Sequence, residues 1–312
     1  MAKIVFLEEY CIRDTDLSSV KSLGEYTGYF DTTPEQTVER CKDTEIVITN
    51  KVVFDDKVMS QLPRLKLICV SATGMNNIDL EAAEKRGIAV RNAKGYSTHS
   101  VAETTLMDAL GLLREVVYYD RYVKEGGYTR SEHVFSIDRN IYQLHGKNWG
   151  IIGLGTIGRE VARLAEAFGC EVAYHSTSGI TRKEKYQEKT LNELLEWSDI
   201  VSIHAPLNEK TENLIGDAEL KAMKPTAIII NVARGGIVNE SALAGALNSG
   251  EIAGAAIDVY TAEPVKANNP LFTVKDKYKL LLSPHNAWAA EKALDHLIEC
   301  VAENIRNFLA GQ

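Results

Sequence analysis

Three ionisable side chains in the second half of the chain, Arg234, Glu263 and His285, each follow a short apolar run that is typical of a β-strand. An arginine can hold a carboxylate through two parallel hydrogen bonds, and a histidine can exchange a proton with a carbonyl or hydroxyl oxygen. A carboxylate beside the histidine keeps its ring protonated and oriented. Taken singly, the three residues have a plain structural interpretation, as a surface charge, a turn residue and a structural histidine. Together, after successive strands, they predict a site that interconverts a 2-keto acid and a 2-hydroxy acid.

A glycine-rich turn lies between a predicted strand over residues 149–152 and a predicted helix over residues 159–168. In this setting Gly153 permits a tight turn, Gly155 lets the backbone approach a pyrophosphate, and Gly158 lets helix and strand pack closely. The helix N-terminus offers free N–H groups and a partial positive charge to the phosphates. A turn without a ligand is the alternative, but the strand before and the βα units after it favour a dinucleotide site.

The residues that follow the second strand of this unit bear on the choice of cofactor. NAD-preferring folds usually place Asp or Glu there, where it accepts a hydrogen bond from the ribose 2′-OH. Here the strand over residues 171–174 ends in His175, Ser176 and further hydroxyl residues, with Arg182 downstream. These groups could receive a 2′-phosphate, or Ser176 could contact the ribose of NAD. Both NAD(H) and NADP(H) therefore remain open at this point.

Short β-branched runs alternate with amphipathic segments along the chain, which is typical of βα units around a parallel sheet. The sequence predicts a helix over residues 79–86, capped by Asp79 and ended by Gly87, and a longer helix from about Thr98 to Lys124. An amphipathic helix over residues 289–309 closes the chain. The predicted strands lie near residues 3–7, 45–49, 67–70, 88–90, 149–153, 171–174, 200–204, 227–231, 253–257 and 279–282.

The glycine-rich turn opens a fresh series of strands in mid-chain, which indicates a domain boundary. No strand follows the last helix, so we expect this helix to return to the first domain. The predicted domains are residues 1–98 plus 289–312, and residues 99–288.

Composition limits the kinds of partner. The net charge is −8, and no cluster of basic residues is present, so we expect no nucleic-acid partner. No apolar run is long enough to span a bilayer, and the N-terminus does not read as a secretory signal. The five cysteines are scattered and form no CxxC pair, which predicts reduced thiols in the cytoplasm and no metal site. The expected partner is a small molecule.

The sequence resembles the D-isomer-specific 2-hydroxyacid dehydrogenases over almost its whole length. The motifs that carry the resemblance are SATGMNNID (71–79), SVAE (100–103), GLGTIG (153–158), HAPL (204–207), NVARGG (231–236), DVYTAEP (258–264) and SPH (283–285). The resemblance implies an α/β protein of two doubly wound parallel-sheet domains, a flavodoxin-like substrate domain and a Rossmann dinucleotide-binding domain. His175, where an acid is common, and Asn76, where an Asp is frequent, depart from the family pattern.

The resemblance also implies roles for individual residues. Arg234, Glu263 and His285 would be catalytic, Arg234 and His285 would also bind the substrate, and the backbone amides of Thr73 and Gly74 would hold the substrate carboxylate. The implied cofactor contacts are the three glycines with Thr156 and Ile157 (pyrophosphate), His175 and Ser176 (adenosine ribose), Ala205 and Pro206 (along the dinucleotide), and Val232, Ala233, Asp258 and His285 (near the nicotinamide).

The substrate that we expect is a 2-keto acid of the size of glyoxylate or hydroxypyruvate, reduced to the D-2-hydroxy acid by a homodimeric enzyme. Phosphoglycerate fits less well, because the first domain shows no cluster of Arg and Lys for a phosphate. Two alternatives are a dinucleotide-sensing corepressor-like protein, which can keep the same three residues, and a dehydrogenase of formate or phosphite type.

Overall fold

The structure is a computed structural model that describes residues 1–180 and 183–311. The chain divides into two compact units. The first consists of residues 1–97 and 289–311, and the second of residues 98–180 and 183–288. No helix in these ranges is both long and apolar enough to cross a membrane.

The strands are short and mostly buried. In chain order they are β1 (Lys3–Phe6), β2 (Glu25–Gly28), β3 (Ile46–Thr49), β4 (Leu67–Val70), β5 (Ala89–Asn92), β6 (Asn148–Ile152), β7 (Glu171–His175), β8 (Gln187–Glu188), β9 (Ile200–Ile203), β10 (Ile228–Asn231), β11 (Gly254–Ile257) and β12 (Leu280–Leu282).

The helices alternate with the strands. In chain order they are α1 (Ser18–Lys21), α2 (Pro34–Cys41), α3 (Asp56–Met59), α4 (Leu80–Lys85), α5 (Thr98–Leu113), α6 (Val116–Lys124), α7 (Thr156–Ala167), α8 (Leu191–Trp197), α9 (Asp217–Ala222), α10 (Glu240–Ser249) and α11 (Glu291–Leu309), with 3₁₀ turns at Glu9–Ile12, Tyr128–Arg130, Pro270–Thr273 and Lys277–Lys279.

The first unit is built on a parallel sheet with the strand order β2-β1-β3-β4-β5. Every residue of β3 and β4 is buried, because helices cover both faces of such a sheet. The order reverses between β1 and β3, which is the flavodoxin-like arrangement. As predicted, Asp79 caps α4 by accepting a hydrogen bond from the Ala82 amide at 3.0 Å, and Gly87 follows the helix with a φ of +69°.

The second unit contains a parallel sheet with the order β12-β11-β10-β9-β6-β7-β8. The order reverses between β6 and β9, as in a Rossmann fold, where this reversal places the ligand crevice at the carboxyl ends of the strands. Apolar side chains fill the core on both faces of the sheet, among them Trp149 and Leu243. The predicted fold class, two doubly wound parallel-sheet domains, is therefore confirmed.

One predicted element is wrong. The helix that we expected over residues 98–124 is two helices, α5 and α6, which separate at Arg114 and Glu115. Glu115 adopts a left-handed backbone conformation with a φ of +52°, which no α-helix can accommodate. Its carboxylate pairs with the guanidinium of Arg139 at 2.8 Å, a contact from a distant loop that helical periodicity does not reveal.

Candidate active site

The carboxyl ends of neighbouring strands line up in register along one edge of the second sheet. Across the sheet from β12 to β7, the aligned residues are Leu282, Ile257, Asn231, Ile203, Ile152 and His175. The predicted site residues of this unit follow these positions in the chain, apart from His175, which is one of them. The register therefore gathers them at a single edge of the sheet, on both sides of the reversal in strand order.

The glycine-rich turn connects β6 to α7 through two close backbone approaches. Gly153 has a φ of +92°, and a Cβ atom there would lie 2.9 Å from the amide nitrogen of Ala205. A Cβ atom on Gly158 would lie 2.3 Å from the carbonyl oxygen of Gly153. Only glycine fits either position, so the turn can pass under the start of α7 and against the loop after β9.

The N-terminus of α7 fits the pyrophosphate of a dinucleotide. Gly155 occupies the N-cap position, and no side chain caps the helix there. A Cβ atom on Gly155 would meet nothing within 4 Å, so the space beside this residue is open. Thr156 and Ile157 begin the helix, where amide groups have no intrahelical partner and the helix dipole is positive. These features are what a phosphate group requires.

The end of β7 presents an imidazole ring. Nδ1 of His175 lies 3.1 Å from the carbonyl oxygen of Lys189. Because a carbonyl oxygen only accepts hydrogen bonds, Nδ1 carries the hydrogen, and Nε2 of the neutral ring is an acceptor. The hydroxyl of Ser176 pairs with that of Ser178 at 3.2 Å. Arg182, which the sequence offered as a phosphate ligand, lies outside the described residues.

Ala205 and Pro206 follow β9. The Ala205 backbone packs against Gly153, and its side chain is buried, whereas Pro206 is exposed. The carbonyl oxygen of Pro206 accepts a hydrogen bond from the Thr211 hydroxyl at 2.7 Å, which holds the loop. The two residues thus border the glycine-rich turn at the reversal in strand order.

The loop after β10 carries Val232, Ala233 and Arg234. Its shape depends on Asn231, whose side chain accepts from the Ala233 amide at 3.1 Å and donates to the Arg234 carbonyl oxygen at 2.9 Å. The guanidinium of Arg234 is half-buried and donates to the Ala233 carbonyl oxygen at 2.7 Å. The other N–H groups of this fork suit a carboxylate ligand.

Gly235 brings the Arg234 loop against the loop that follows β11. A Cβ atom on Gly235 would lie 1.9 Å from the carbonyl oxygen of Tyr260. Any side chain at this position would force the two loops apart. Gly235 belongs to the NVARGG motif. The need for glycine at this position comes from a contact with a segment far away in sequence, which only the tertiary structure reveals.

Asp258 is a buried carboxylate that organises the loop after β12. Its Oδ1 accepts from the Ser283 hydroxyl at 2.5 Å and from the Asn286 amide at 3.0 Å, and its Oδ2 accepts from the Ala287 amide at 3.1 Å. The carbonyl oxygen of Asp258 also accepts from the His285 amide at 2.8 Å. Asp258 therefore fixes the backbone on both sides of His285, a bracing role that the sequence did not reveal.

His285 and Glu263 form a hydrogen-bonded pair at the edge of the sheet. Nδ1 of His285 lies 2.8 Å from Oε2 of Glu263, and the two side chains are 23% and 33% exposed. The other oxygen of Glu263 accepts from the Tyr260 amide at 3.1 Å, which orients the carboxylate. His285 has a φ of +53°, held by its own amide bond to Asp258 and by the indole N–H of Trp288, which donates to its carbonyl oxygen at 2.8 Å. The pairing with Glu263 therefore uses Nδ1 and not Nε2.

A second buried acid, Asp108 on α5, lies near this site. Burial, together with the negative charge of Asp258, raises the pKa of Asp108 to about 7. Sequence reasoning did not single out Asp108, because a lone acid in a helix usually faces solvent.

Thr73 and Gly74 lie in the first unit, just after β4. The Thr73 hydroxyl donates to the carbonyl oxygen of Ala93 at 3.2 Å, and the Asn92 amide group donates to the carbonyl oxygen of Thr73 at 2.6 Å. The loop is thus tied to the end of β5.

The second unit therefore combines a Rossmann sheet, a glycine turn that fits a pyrophosphate, and a histidine–glutamate pair of a kind that can exchange a proton. These features define a dinucleotide-dependent oxidoreductase. Residues 106–287 match the family model described as the NAD binding domain of the D-isomer specific 2-hydroxyacid dehydrogenases, and the chain belongs to this family.

Individual relatives extend this result. The chain is 38% identical over 314 residues to a glycerate dehydrogenase of Methylorubrum extorquens. The alignment covers 99% of this chain and 97% of that protein. It resembles the crystal structure of a glyoxylate reductase from Paecilomyes thermophila, with a TM-score of 0.84, 27% identity and coverage of 98% and 94%. It also resembles an acyclic imino acid reductase in complex with NADPH and D-Arg, with a TM-score of 0.89, 27% identity and coverage of 99% and 97%. The chain is an NAD(P)-dependent oxidoreductase.

Proposed function

We propose that this chain reduces 2-keto acids of the size of hydroxypyruvate and glyoxylate to D-2-hydroxy acids. The observation that carries the proposal is the 2.8 Å contact between Nδ1 of His285 and Oε2 of Glu263 at the same sheet edge as the glycine-rich turn. The relatives named glycerate dehydrogenase and glyoxylate reductase support substrates of this size. They do not favour the corepressor or the formate and phosphite alternatives.

In the proposed reaction His285 is the general acid. Because Nδ1 donates to Glu263, the proton for the keto oxygen of the substrate comes from Nε2. Glu263 stabilises the imidazolium and keeps the ring in one orientation. The nicotinamide supplies the hydride when the cofactor is bound.

Arg234 is the proposed ligand of the substrate carboxylate in the second unit. Its planar fork holds a carboxylate at two points and places positive charge near the keto oxygen, where negative charge develops during reduction. The backbone amides of Thr73 and Gly74 are the proposed carboxylate ligands of the first unit.

The proposed cofactor site comprises the first turn of α7, the end of β7 and the loops after β9, β10 and β11. Its residues are Gly153, Gly155, Thr156, Ile157, Gly158, His175, Ser176, Ala205, Pro206, Val232, Ala233 and Asp258, with His285 at the nicotinamide. The open space beside Gly155 and the uncapped helix support the pyrophosphate position. The domain roles that we propose follow: the second unit binds NAD(P), and the first binds the substrate.

The direct test is steady-state kinetics, followed by nicotinamide absorbance, with glyoxylate, hydroxypyruvate and pyruvate and with NADH or NADPH. We expect turnover of glyoxylate and hydroxypyruvate with at least one cofactor, and its collapse in a His285→Ala variant that still binds the cofactor. A wild-type protein that binds NADH or NADPH but reduces neither keto acid would contradict the proposal.

A homodimer is part of the proposal. Exposed large apolar side chains are concentrated, along the sequence, on α5, α6 and the loop after them, and exposed apolar surface can mark an interface when it is contiguous. They are Met107, Val116, Val117, Val123, Tyr128, Val134, Phe135, Ile137 and Ile141, with Phe135 80% and Ile137 81% exposed.

Sedimentation equilibrium tests the dimer with a double variant, Phe135→Ser with Ile137→Ser. We expect the wild type to be dimeric and this variant to be monomeric. A Phe30→Ser control, which removes an exposed ring from the first unit, should remain dimeric. A monomeric wild type would end this part of the proposal.

The cytoplasm is the proposed location. The five cysteines, at positions 11, 41, 69, 170 and 300, are free thiols, which suits a reducing compartment. Fractionation of the source cells with an antibody against the chain tests this placement, and recovery in an oxidising compartment would contradict it.

A further inference from the structure

Asp108 is a buried acid of the second unit that the proposed reaction does not use. It lies on α5 and is 5% exposed. Its carboxyl group receives no hydrogen bond from any residue that the structure describes. The carboxylate of Asp258, in contrast, accepts from Ser283, Asn286 and Ala287. Because such bonds stabilise the charged form of an acid, the negative charge belongs on Asp258 and the proton on Asp108.

One face of α5 is bonded to the loop that carries His285. The hydroxyl of Ser100 donates to the carbonyl oxygen of Ala287 at 2.6 Å, and the hydroxyl of Thr104 lies 3.5 Å from the same oxygen. Residues four apart share one face of a helix, so Asp108, one turn beyond Thr104, lies on this face as well.

The same face of α5 continues onto β11. A Cβ atom on Gly254 would lie 3.3 Å from the side chain of Leu112, which is one turn beyond Asp108. Alternate residues of a strand share one side of a sheet, so Ala256 and Asp258 point to the same side as Gly254. Ala256 belongs to the same apolar cluster as Leu112, which agrees with this direction. Asp108 is therefore placed opposite the end of β11, where Asp258 lies.

The charge of Asp258 acts on Asp108. Burial raises the pKa of Asp108 to about 7, and the negative charge of Asp258 acts in the same direction. Strands β10 and β12 and helix α7 meet α5 with apolar side chains, among them Ile230, Leu281 and Val161. The charged residues of α6 and α7 are engaged in ion pairs of their own. Asp258 is thus the charged group that faces Asp108 from these elements.

We propose that Asp108 is a positioning residue for the reaction, which in its protonated form donates a hydrogen bond to Asp258 and thereby holds the loop that carries His285. The inference rests on the proposed function and adds a proton-dependent support to that site. When Asp108 ionises, its proton passes to the solvent and its charge repels Asp258, which accepts the amides of residues 286 and 287. The support is therefore present at low pH and is lost as pH rises.

The first test compares the pH dependence of kcat in the wild type, Asp108→Asn and a control. The side-chain amide of the Asp108→Asn variant still donates to Asp258 but cannot ionise. The kcat of this variant relative to the wild type should rise about tenfold between about pH 6 and pH 9, the effect of one charge-assisted hydrogen bond. Asp14→Asn, at an exposed position, is the control and should show a constant ratio.

Measuring both directions of the reaction separates this role from an electrostatic effect on His285. Reduction of hydroxypyruvate needs the protonated ring, whereas oxidation of D-glycerate needs the neutral ring. If Asp108 acted only as a charge on His285, the ratio for Asp108→Asn would fall with pH for reduction and rise for oxidation. Support of the loop serves both directions, so we expect the ratio to rise in both. A constant ratio, or a fall for reduction, would overturn the inference.

An Asp108→Leu variant tests the need for the donor. It keeps the branched shape of the side chain but cannot donate a hydrogen bond. We expect kcat to be about tenfold or more below that of the wild type at about pH 6 in both directions. A wild-type kcat at this pH would overturn the inference. If this variant does not fold, the comparison with Asp108→Asn still decides.

Hydrogen exchange followed by mass spectrometry tests the loop without turnover. The peptide that contains residues 283–288 should lose protection several-fold between about pH 6 and pH 9 in the wild type and keep it in Asp108→Asn, after correction for the intrinsic rate at each pH. A peptide over β9 is the control for global unfolding. No loss in the loop, or an equal loss in β9, would contradict the inference. A wild type without turnover would overturn the proposed function, whereas the exchange data would still decide whether Asp108 holds the loop.

Discussion

Nδ1 of His285 lies 2.8 Å from Oε2 of Glu263, and the His285 amide donates at 2.8 Å to the carbonyl oxygen of Asp258. The imidazole is thus oriented through its ring by one acid and through its backbone by another residue of the same loop. In the proposed reaction Nε2 is then the nitrogen that meets the substrate, and the proposed roles of these residues can be separated by mutation.

The first prediction concerns His285 itself. His285→Ala removes the proposed general acid and should lower kcat by about 100- to 10,000-fold, the usual contribution of such a group. NADH binding, measured by fluorescence titration, should persist. The control is His296→Ala, an exposed residue on α11. A His285→Ala variant with nearly normal kcat would remove the residue from the reaction.

The second prediction concerns Glu263. Glu263→Gln keeps the shape of the side chain but removes the negative charge that stabilises the imidazolium. The pH above which keto-acid reduction declines should therefore move downward. The measurement is kcat/KM from about pH 5 to pH 9. A profile that superimposes on that of the wild type would show that Glu263 does not support the proton on His285.

The third prediction concerns Arg234. Arg234→Lys keeps the charge but loses the planar fork, so it should raise KM for the keto acid and lower kcat together. Arg306→Lys, on the exposed side of α11, is the matched control and should behave as the wild type. Unchanged kinetics in Arg234→Lys would assign the residue to a structural role.

Some elements of the fold could be predicted from the sequence, and others could not. The turn between β6 and α7 and the caps of α4 depend on local residue types, so they could be predicted from sequence. Strand β2 was missed because it is a largely exposed edge strand without an apolar run, and its pairing with β1 links distant residues. The break at Glu115 was missed for a similar reason, since Arg139 stabilises it from another loop.

The features of the candidate site likewise divide into those that the sequence could predict and those that it could not. Arg234, Glu263 and His285 are visible in the sequence because polar residues after successive strands meet at one sheet edge. The close approach of Gly235 to Tyr260 and the bracing of the His285 loop by Asp258 join segments that lie far apart in the chain. The burial of Asp108 near Asp258 could not be predicted from sequence either, since it depends on the packing of α5.

The fourth prediction follows from that burial. Burial and the charge of Asp258 raise the pKa of Asp108 to about 7, whereas an unfolded Asp titrates near about 4. The native state therefore holds the extra proton between these values, and the free energy of unfolding should fall as pH rises through this window. Asp108→Asn lacks this dependence. The difference in unfolding free energy between wild type and variant should fall by on the order of 4 kcal/mol between about pH 4 and pH 8.

Urea denaturation at a series of pH values measures this difference. Asp14→Asn, at an exposed position, serves as the control and should track the wild type. If the curves of Asp108→Asn and the wild type run parallel over the whole range, the carboxyl of Asp108 titrates as it would in the unfolded chain.

The fifth prediction concerns the cofactor. In the proposed cofactor site, Nε2 of His175 could accept a hydrogen bond from a ribose hydroxyl, but it carries no negative charge against a 2′-phosphate. We expect activity with both cofactors, with a preference of less than about 100-fold, since one charge-assisted contact contributes about 1.5–3 kcal/mol. His175→Asp should shift the ratio of kcat/KM values toward NADH by adding a repulsive charge. Strict NADH dependence in the wild type, with no response to the new acid, would show that this strand end does not select the cofactor.

The central claim is hydride transfer to C2 of a keto acid with formation of the D-isomer. The most direct measurement uses NADH or NADPH deuterated at the transferring position of C4, together with hydroxypyruvate, and analyses the product by mass spectrometry and chiral chromatography. The account predicts D-glycerate with one deuterium at C2, formed at least about 100-fold more slowly by His285→Ala. Formation of L-glycerate, of a product without deuterium at C2, or of no product with either cofactor would contradict it.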